Sequence, residues 1–294
     1  MSLSRVAVVD TSRSTRHSFW TTIRTVGAYL GLSAGALVLG LPLLWLLSTS
    51  LKERGHEFLV PPELIPNPIL WQNYPTAMTA LPFHLYFANT MIVVIMSELG
   101  TLLTASMAAY AFARLRFPGR DFLFVLVISS LMLPNVVTLI PKFVIFRILG
   151  WVNTLLPLWV PFWFGGGAFN IFLLRQYAMT MPHDLDEAAR IDGANNWQIY
   201  FRVILPLLGP ALATVAIFTF INGWNDFLEP LIYLHDESKR TLALGLLGFQ
   251  DLYATEWNLM MAASAVLVVP IVVVFLVAQR YFIRGISLTG LAGR

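Results

Sequence analysis

Few side chains in this sequence can do chemistry, and each stands inside or beside an apolar run. Glu98 lies midway along the run 85–115. A carboxylate near the centre of a bilayer costs about 2.5–3.5 kcal/mol on insertion scales, so it should face protein or water. There it could line a pathway, pair with a neighbouring subunit, or carry a proton as in a proton-coupled carrier. Trp224, Asn225 and Asp226 combine an aromatic platform with an amide and a carboxylate, groups suited to the hydroxyls of a sugar. Gly165, Gly166 and Gly167 interrupt another run. Glycine-broken membrane helices are tolerated where backbone lines a cavity or is buried in protein, and close helix packing explains them equally well. Asn170, just beyond, could bond a solute hydroxyl or a neighbouring helix. Covalent chemistry has no such candidates. The chain has no G-x-x-x-x-G-K-[ST] phosphate loop, no H-E-x-x-H pair and no plausible elbow for a nucleophilic Ser. Cysteine is absent, which removes disulfides and thiolate metal sites. No catalytic group and no metal site is expected, and an intramembrane hydrolase would leave Glu98 without a partner.

The elements that position these groups follow from composition. Of 294 residues 57% are hydrophobic and 12% charged, against roughly 25% charged in a soluble domain. Six apolar runs, near 26–51, 85–115, 122–149, 154–177, 205–234 and 258–283, each reach the roughly 20 residues that span a hydrocarbon core. Alternating strands are absent, which favours an all-α integral membrane protein with six transmembrane helices over a barrel. The first 25 residues carry Arg5, Arg13, Arg16 and Arg24 without a signal-peptide core, and read as a cytoplasmic tail. This tail, the 114–121 turn, the 175–206 loop and the carboxyl end, Arg280 together with the tail 284–294, hold 13 Lys and Arg, and the opposite side holds 6. That bias puts both termini inside, with 26–283 as the membrane domain. Trp151, Trp159, Phe162, Trp163 and Phe164 cluster around the third and fourth runs. Trp there suits a bilayer interface as well as a solute.

The connections carry the rest. The outer segment 52–84 contains PPELIPNP, whose prolines favour extended, rigid geometry able to meet an outside partner. The outer loop 226–256 is acidic, through Asp226, Glu229, Asp236, Glu237, Asp251 and Glu256, and is either a solvated face or a docking surface. The inner loop between spans four and five is about 30 residues long, well past the roughly 12–15 that usually stay unstructured, so it should fold. Pro182 opens a helical turn. Asp184, Asp186 and Glu187 suit the positive end of a helix dipole, and Leu185, Ala188 and Ala189 share one face. Gly193 ends that helix. Asn195 caps a second, in which Trp197, Tyr200, Phe201 and Ile204 recur at helical spacing before Pro206. The result is a two-helix knuckle over 182–206. An amphipathic hairpin resting on headgroups is the alternative, but such segments favour Lys and Arg, whereas Asp184, Asp186, Glu187 and Asp192 make this one acidic.

The pattern of Glu187, Ala188 and Ala189, then Gly193, Val203, Leu205 and Pro206, resembles the ATPase-docking loop of ABC importer permeases, with Val203 in place of the usual Ile. AYAFARLRFPGRD, LIPKFVIFRILGWVNT, NGWNDFLEPLIYL and QRYFIRGISLTGLAGR are similar to the carbohydrate-uptake branch, near the smaller permease of the maltose type. The resemblance implies a subunit that forms half of a solute pathway. It implies a second, different permease chain, two cytoplasmic ATPase subunits that hold ATP and Mg, and an extracytoplasmic solute-binding protein. The setting is a bacterial or archaeal cytoplasmic membrane, with lipid and no nucleic acid as further surroundings, and the chain itself binds no cofactor. Glu187 would face the ATPase, with Ala188, Ala189, Asp192, Gly193, Trp197 and Pro206 completing the coupling loop. Trp224, Asn225, Asp226, Gly166 and Asn170 would lie toward the pathway. The tail 290–294 would approach the ATPase interface, although LTGLAGR departs from the maltose-type ending.

Overall fold

The computed structural model describes residues 12–250 and 255–290, with side chains for 24–250 and 255–279. The expectations for Arg5, for the side chains of Arg13 and Arg16, for Asp251 and for residues 291–294 lie outside the described residues. Within them every regular element is helical, apart from one isolated bridge between Gln250 and Thr255.

α1 (Ser12–Ser50) runs from the amino side across the first apolar run. An extended outer segment leads to α2 (Asn73–Ala80) and then α3 (Phe83–Arg114). The third run was expected to be continuous, but α4 (Arg120–Ser129) and α5 (Asn135–Ile148) are separate helices. The helical stretches on either side of the break meet at 103°. Pro134 is the cause: it has no N–H and drives the preceding Leu133 into an extended conformation. α6 (Leu156–Trp159) and α7 (Ala168–Met179) flank the three glycines of the fourth run. α8 (Asp184–Ile191), α9 (Asn196–Ile199) and α10 (Leu205–Leu207) form the inner loop and enter α11 (Gly209–Asn225) at a bend of 74°. α12 (Leu228–Tyr233) is separated from α11 at Asp226, so the expected run 205–234 is also divided, into α10, α11 and α12. Pro230 stands four residues after Asp226, and its ring would strike that carbonyl in a continuous helix. α13 (Leu242–Gly245) and α14 (Trp257–Gly290) complete the chain. Among the described residues, four stretches are long and apolar enough to cross a membrane unaided, and the number rises to six if each of the two bent pairs forms one span.

α3 is the central post. Tyr86, Thr90, Val93, Ser97, Thr101, Ala105 and Ala109 are buried along it at helical spacing. Ala105 and Ala109 pack with Ile171 and Leu174 of α7 and with Ala211 and Val215 of α11. Small residues permit this approach: a Cβ at Gly166 would lie 2.8 Å from the Thr101 carbonyl oxygen and 2.9 Å from the Ala105 Cβ. α14 lies against α1, α2 and α11. Leu30, Leu32, Leu37 and Leu39 of α1 remain exposed, as bilayer-facing side chains should.

The outer connections are folded onto these posts. Asn73 Nδ2 donates to the Ser50 and Lys52 carbonyls at 2.9 and 2.8 Å, and Ser48 Oγ donates to the Leu64 carbonyl, which ties the proline-rich segment to α1. The acidic loop is largely neutralised within the chain. Glu229 meets Lys142 at 3.2 Å, Asp236 meets Lys239 at 3.2 Å and Glu256 meets Arg54 at 3.1 Å. Asn153, in the left-handed region at φ 60°, accepts from the His235 and Asp236 N–H groups and donates through Nδ2 to Asp236 Oδ2 at 2.8 Å.

Candidate functional site

The inner knuckle is built by local rules at its bends and by one long-range anchor. Gly193 sits at φ 84°, its N–H donating to the Arg190 carbonyl and that of Ala194 to the Ala189 carbonyl. These two bonds are a Schellman closure of α8. A Cβ at Gly193 would meet nothing within 4 Å, so the conformation alone selects glycine, by about 1–2 kcal/mol. Asn195 then opens α9 with a capping box: its Oδ1 accepts the Gln198 N–H at 2.9 Å, and its own N–H donates to Gln198 Oε1 at 2.8 Å. The turn over Tyr200–Ile204 is widened to a π-helix, with the Leu205 N–H reaching back to the Tyr200 carbonyl. Pro206 follows directly and has no N–H to place in a regular ladder.

The anchor is Arg114, the last residue of α3, whose side chain is 1% exposed. Nη1 donates to Asp186 Oδ2 at 2.9 Å, to the Pro182 carbonyl at 3.3 Å, and meets His183 Nδ1 at 3.2 Å. Nη2 donates to the Ala178 and Met181 carbonyls at 2.8 and 2.9 Å. One guanidinium thus bonds carbonyls in the last turn of α7 and just beyond it, and holds the carboxylate in the first turn of α8. At the far side of the knuckle Tyr200 Oη and Ser106 Oγ of α3 share a 2.7 Å hydrogen bond, and the Tyr110 and Tyr200 rings lie 5.4 Å apart. α3 therefore grips the knuckle at both its entry and its exit.

This anchoring corrects the expected face of α8. Leu185 and Ala188 are exposed; the side turned to the protein carries Asp186 and the half-buried Ala189. Arg114 is the reason, since a buried cation draws the acid inward. Likewise Tyr200 and Ile204 are buried, whereas Trp197 and Phe201 stack on each other outside, their ring centres 6.1 Å apart. Glu187, Ala188, Ile191, Asp192, Gly193, Trp197 and Pro206 are each exposed. Ile191 is 86% exposed and Trp197 60%, so this loop presents apolar side chains on its outside. The sequence reading missed Arg114 and the pairing role of Asp186. The signal available was an arginine closing a long apolar run in a chain whose next inner loop is acidic.

The pathway candidates are not gathered in one place. Trp224 is buried, stacks on Phe220 at 5.5 Å and donates its indole N–H to the Leu267 carbonyl at 3.0 Å, joining α11 to α14. Asn225 beside it is exposed and donates to the Ile221 carbonyl, and Asp226 Oδ1 accepts the Glu229 N–H at 3.3 Å. Gly166 packs on α3 as described, and Asn170 Nδ2 donates to its carbonyl at 2.8 Å, closing the glycine break. Trp163 donates to the Met96 carbonyl at 3.0 Å and Trp151 stacks on Phe146, so both serve packing. Glu98 is half-buried on α3, and its Oε2 has no hydrogen-bond partner among the described residues. The described residues contain no group of three or more His, Asp or Glu placed to hold a metal ion.

Residues 100–288 match the family model described as binding-protein-dependent transport system inner membrane component. The diacetylchitobiose uptake system permease protein NgcG of Streptomyces coelicolor is 34% identical over 86% of this chain and 84% of its own. The sn-glycerol-3-phosphate transport system permease protein UgpE of Yersinia pestis is 33% identical over 88% of this chain and 94% of its own. Among solved structures, a chain of a bacterial ABC transporter involved in the import of the acidic polysaccharide alginate matches with a TM-score of 0.77 and 25% identity, covering 94% of this chain and 100% of that one. These relatives are transport permeases, which favours an importer over a proton-coupled carrier built on Glu98. The chain belongs to the family of inner membrane components of binding-protein-dependent transport systems.

Proposed function

We propose that this chain is one of two different permease subunits of an ABC importer for a sugar or related polyhydroxylated solute, with α8 as the coupling helix that takes up the motion of an ATPase. The carrying observation is the knuckle itself, rigidly held to α3 by Arg114 and Ser106 while Glu187, Ala188, Ile191 and Trp197 face outward. In this reading the two bent pairs each count as one span, giving six, and both termini lie in the cytoplasm. Tail 1–25, membrane domain 26–283 with the coupling loop 182–206, and tail 284–294 divide the chain. ATP and Mg reside on two ATPase subunits, and a loaded solute-binding protein docks on the outer face. Closing of the ATPases would draw the coupling helices together, and because α3 is joined to α8 by a buried ion pair, the displacement passes into the central post rather than into a slack loop.

The cargo class draws support from the names of the relatives, which cover chitobiose, glycerol phosphate and alginate transport. For the pathway, Asn225 and Asp226 are the groups proposed to meet solute, with Trp224 as their packed support and Gly166 with Asn170 shaping the break opposite. The test is uptake and ATP hydrolysis by the assembled transporter in proteoliposomes. Glu187→Lys, on an exposed side chain, should leave assembly of the two permeases intact and lower solute-stimulated ATP hydrolysis at least tenfold. Unaltered hydrolysis and uptake in that variant would remove the coupling assignment.

A further inference from the structure

The turn between α3 and α4 carries an open surface pocket of about 360 Å³ lined by Arg116, Phe117, Gly119, Arg120, Asp121 and Phe122. Its charge is unbalanced. Asp121 is bonded to Arg120, Nε to Oδ1 at 2.8 Å, and Arg175 of α7 lies within electrostatic reach of both. Arg175 covers the Phe124 ring, with Cζ 3.9 Å from its centre, and donates to the Phe112 carbonyl. Arg116 is exposed and has no hydrogen-bond or ion-pair partner among the described residues. Asp121 thus answers Arg120 and Arg175 and leaves Arg116 unpaired, and α4 begins here with no side chain capping its first turn. Free backbone N–H groups at a helix start add to the attraction for an anion.

The depth of this cluster says which anion. Arg114, two residues before Arg116, reaches into the first turn of α8, so the turn lies at the same membrane face as the knuckle. From the pocket α4 heads into the bilayer with Phe122, Val125 and Leu126 exposed on one face, at 67%, 59% and 51%. A net cationic pocket at headgroup depth, continuous with an apolar, lipid-facing helix stripe, complements both halves of a phospholipid. We propose that the α3–α4 turn binds an anionic phospholipid, its phosphate between Arg116 and Arg120 and its acyl chains along Phe122, Val125 and Leu126. Aromatic rings at Phe117 and Phe122 frame the headgroup at the interface.

The test is native mass spectrometry of the assembled transporter titrated with phosphatidylglycerol or phosphatidylcholine. The wild type should retain phosphatidylglycerol in preference to phosphatidylcholine, and Arg116→Gln should weaken that retention about fivefold, the effect of one surface arginine. Arg116 is exposed and unpaired, so this variant should fold even if the double variant Arg116→Gln with Arg120→Gln does not. Arg202→Gln, exposed elsewhere on the knuckle side, should change nothing. Equal retention of the two lipids by the wild type, or an unaltered preference in Arg116→Gln, would overturn the proposal. So would displacement of phosphatidylglycerol by excess inorganic phosphate, which would mark the pocket as a site for the free ion.

Discussion

At the scale of single residues, Arg114 carries the most structural consequence. Its partner Asp186 has one oxygen engaged and the other buried without a partner, so removing the cation strands a carboxylate in protein. Arg114→Leu should lower stability by about 3–5 kcal/mol, the usual cost of breaking a buried ion pair. Asp186→Asn leaves the guanidinium with the Ala178, Met181 and Pro182 carbonyls and should cost less, about 1–3 kcal/mol. Thermal unfolding of the solubilised permease checks the order, and trypsin cleavage within 182–206 should rise in parallel. Similar, small effects of both variants would mean that the knuckle is held by its apolar contacts instead. Trp224→Phe tests a second residue: loss of the bond to the Leu267 carbonyl should lower the melting temperature with little change in solute affinity. An unaltered melting temperature with a shifted affinity would place the ring in the solute path. The knuckle's local chemistry was legible because Gly193 and Asn195 act through their neighbours in sequence. The roles of Arg114 and Trp224 depend on partners 72 and 43 residues away, which no local pattern displays.

Among the elements, internal prolines acted in two ways: α1 runs unbroken through Pro42 and α14 through Pro270, whereas two other apolar runs are divided. Pro134 and Pro230 split two runs that hydrophobicity alone joins, because composition reports bilayer affinity whereas the prolines govern backbone continuity. The acidic outer loop is likewise more ordered than its charge suggests. Asp236 is held below the usual carboxylate range, chiefly by its bonds from Asn153 and Lys239. A lowered folded value means that this carboxylate's stabilising contribution is fully present above the ordinary value and is lost as pH falls through the folded one. Hydrogen exchange should therefore show the 235 and 236 amides protected near neutrality and less protected, relative to intrinsic rates, once the medium is more acidic than the carboxylate range. Asp236→Asn should abolish that pH dependence. Protection unchanged in acid would show that Asn153 holds the loop without the charge.

For the whole molecule, α3 links the segment 238–240 to the knuckle. Its amino-terminal half bonds the 226–256 loop, with Asn89 Nδ2 donating to the Ser238 and Arg240 carbonyls at 2.9 and 3.0 Å, and its carboxyl-terminal half holds the knuckle through Ser106 and Arg114. A body of this kind can tilt as one piece between two states, which is the mechanical requirement of alternating access. The chain lacks cysteine, so a single introduced thiol reports one position cleanly. The decisive measurement is therefore cross-linking of Ala188→Cys, exposed on α8, against the co-expressed ATPase in native membranes, with Ser238→Cys on the opposite face as control. A covalent adduct between permease and ATPase at position 188 and none at 238, with uptake blocked by the cross-link, is the result expected of a coupling helix. Absence of an adduct at 188 in membranes that still carry out ATP-driven uptake would contradict it.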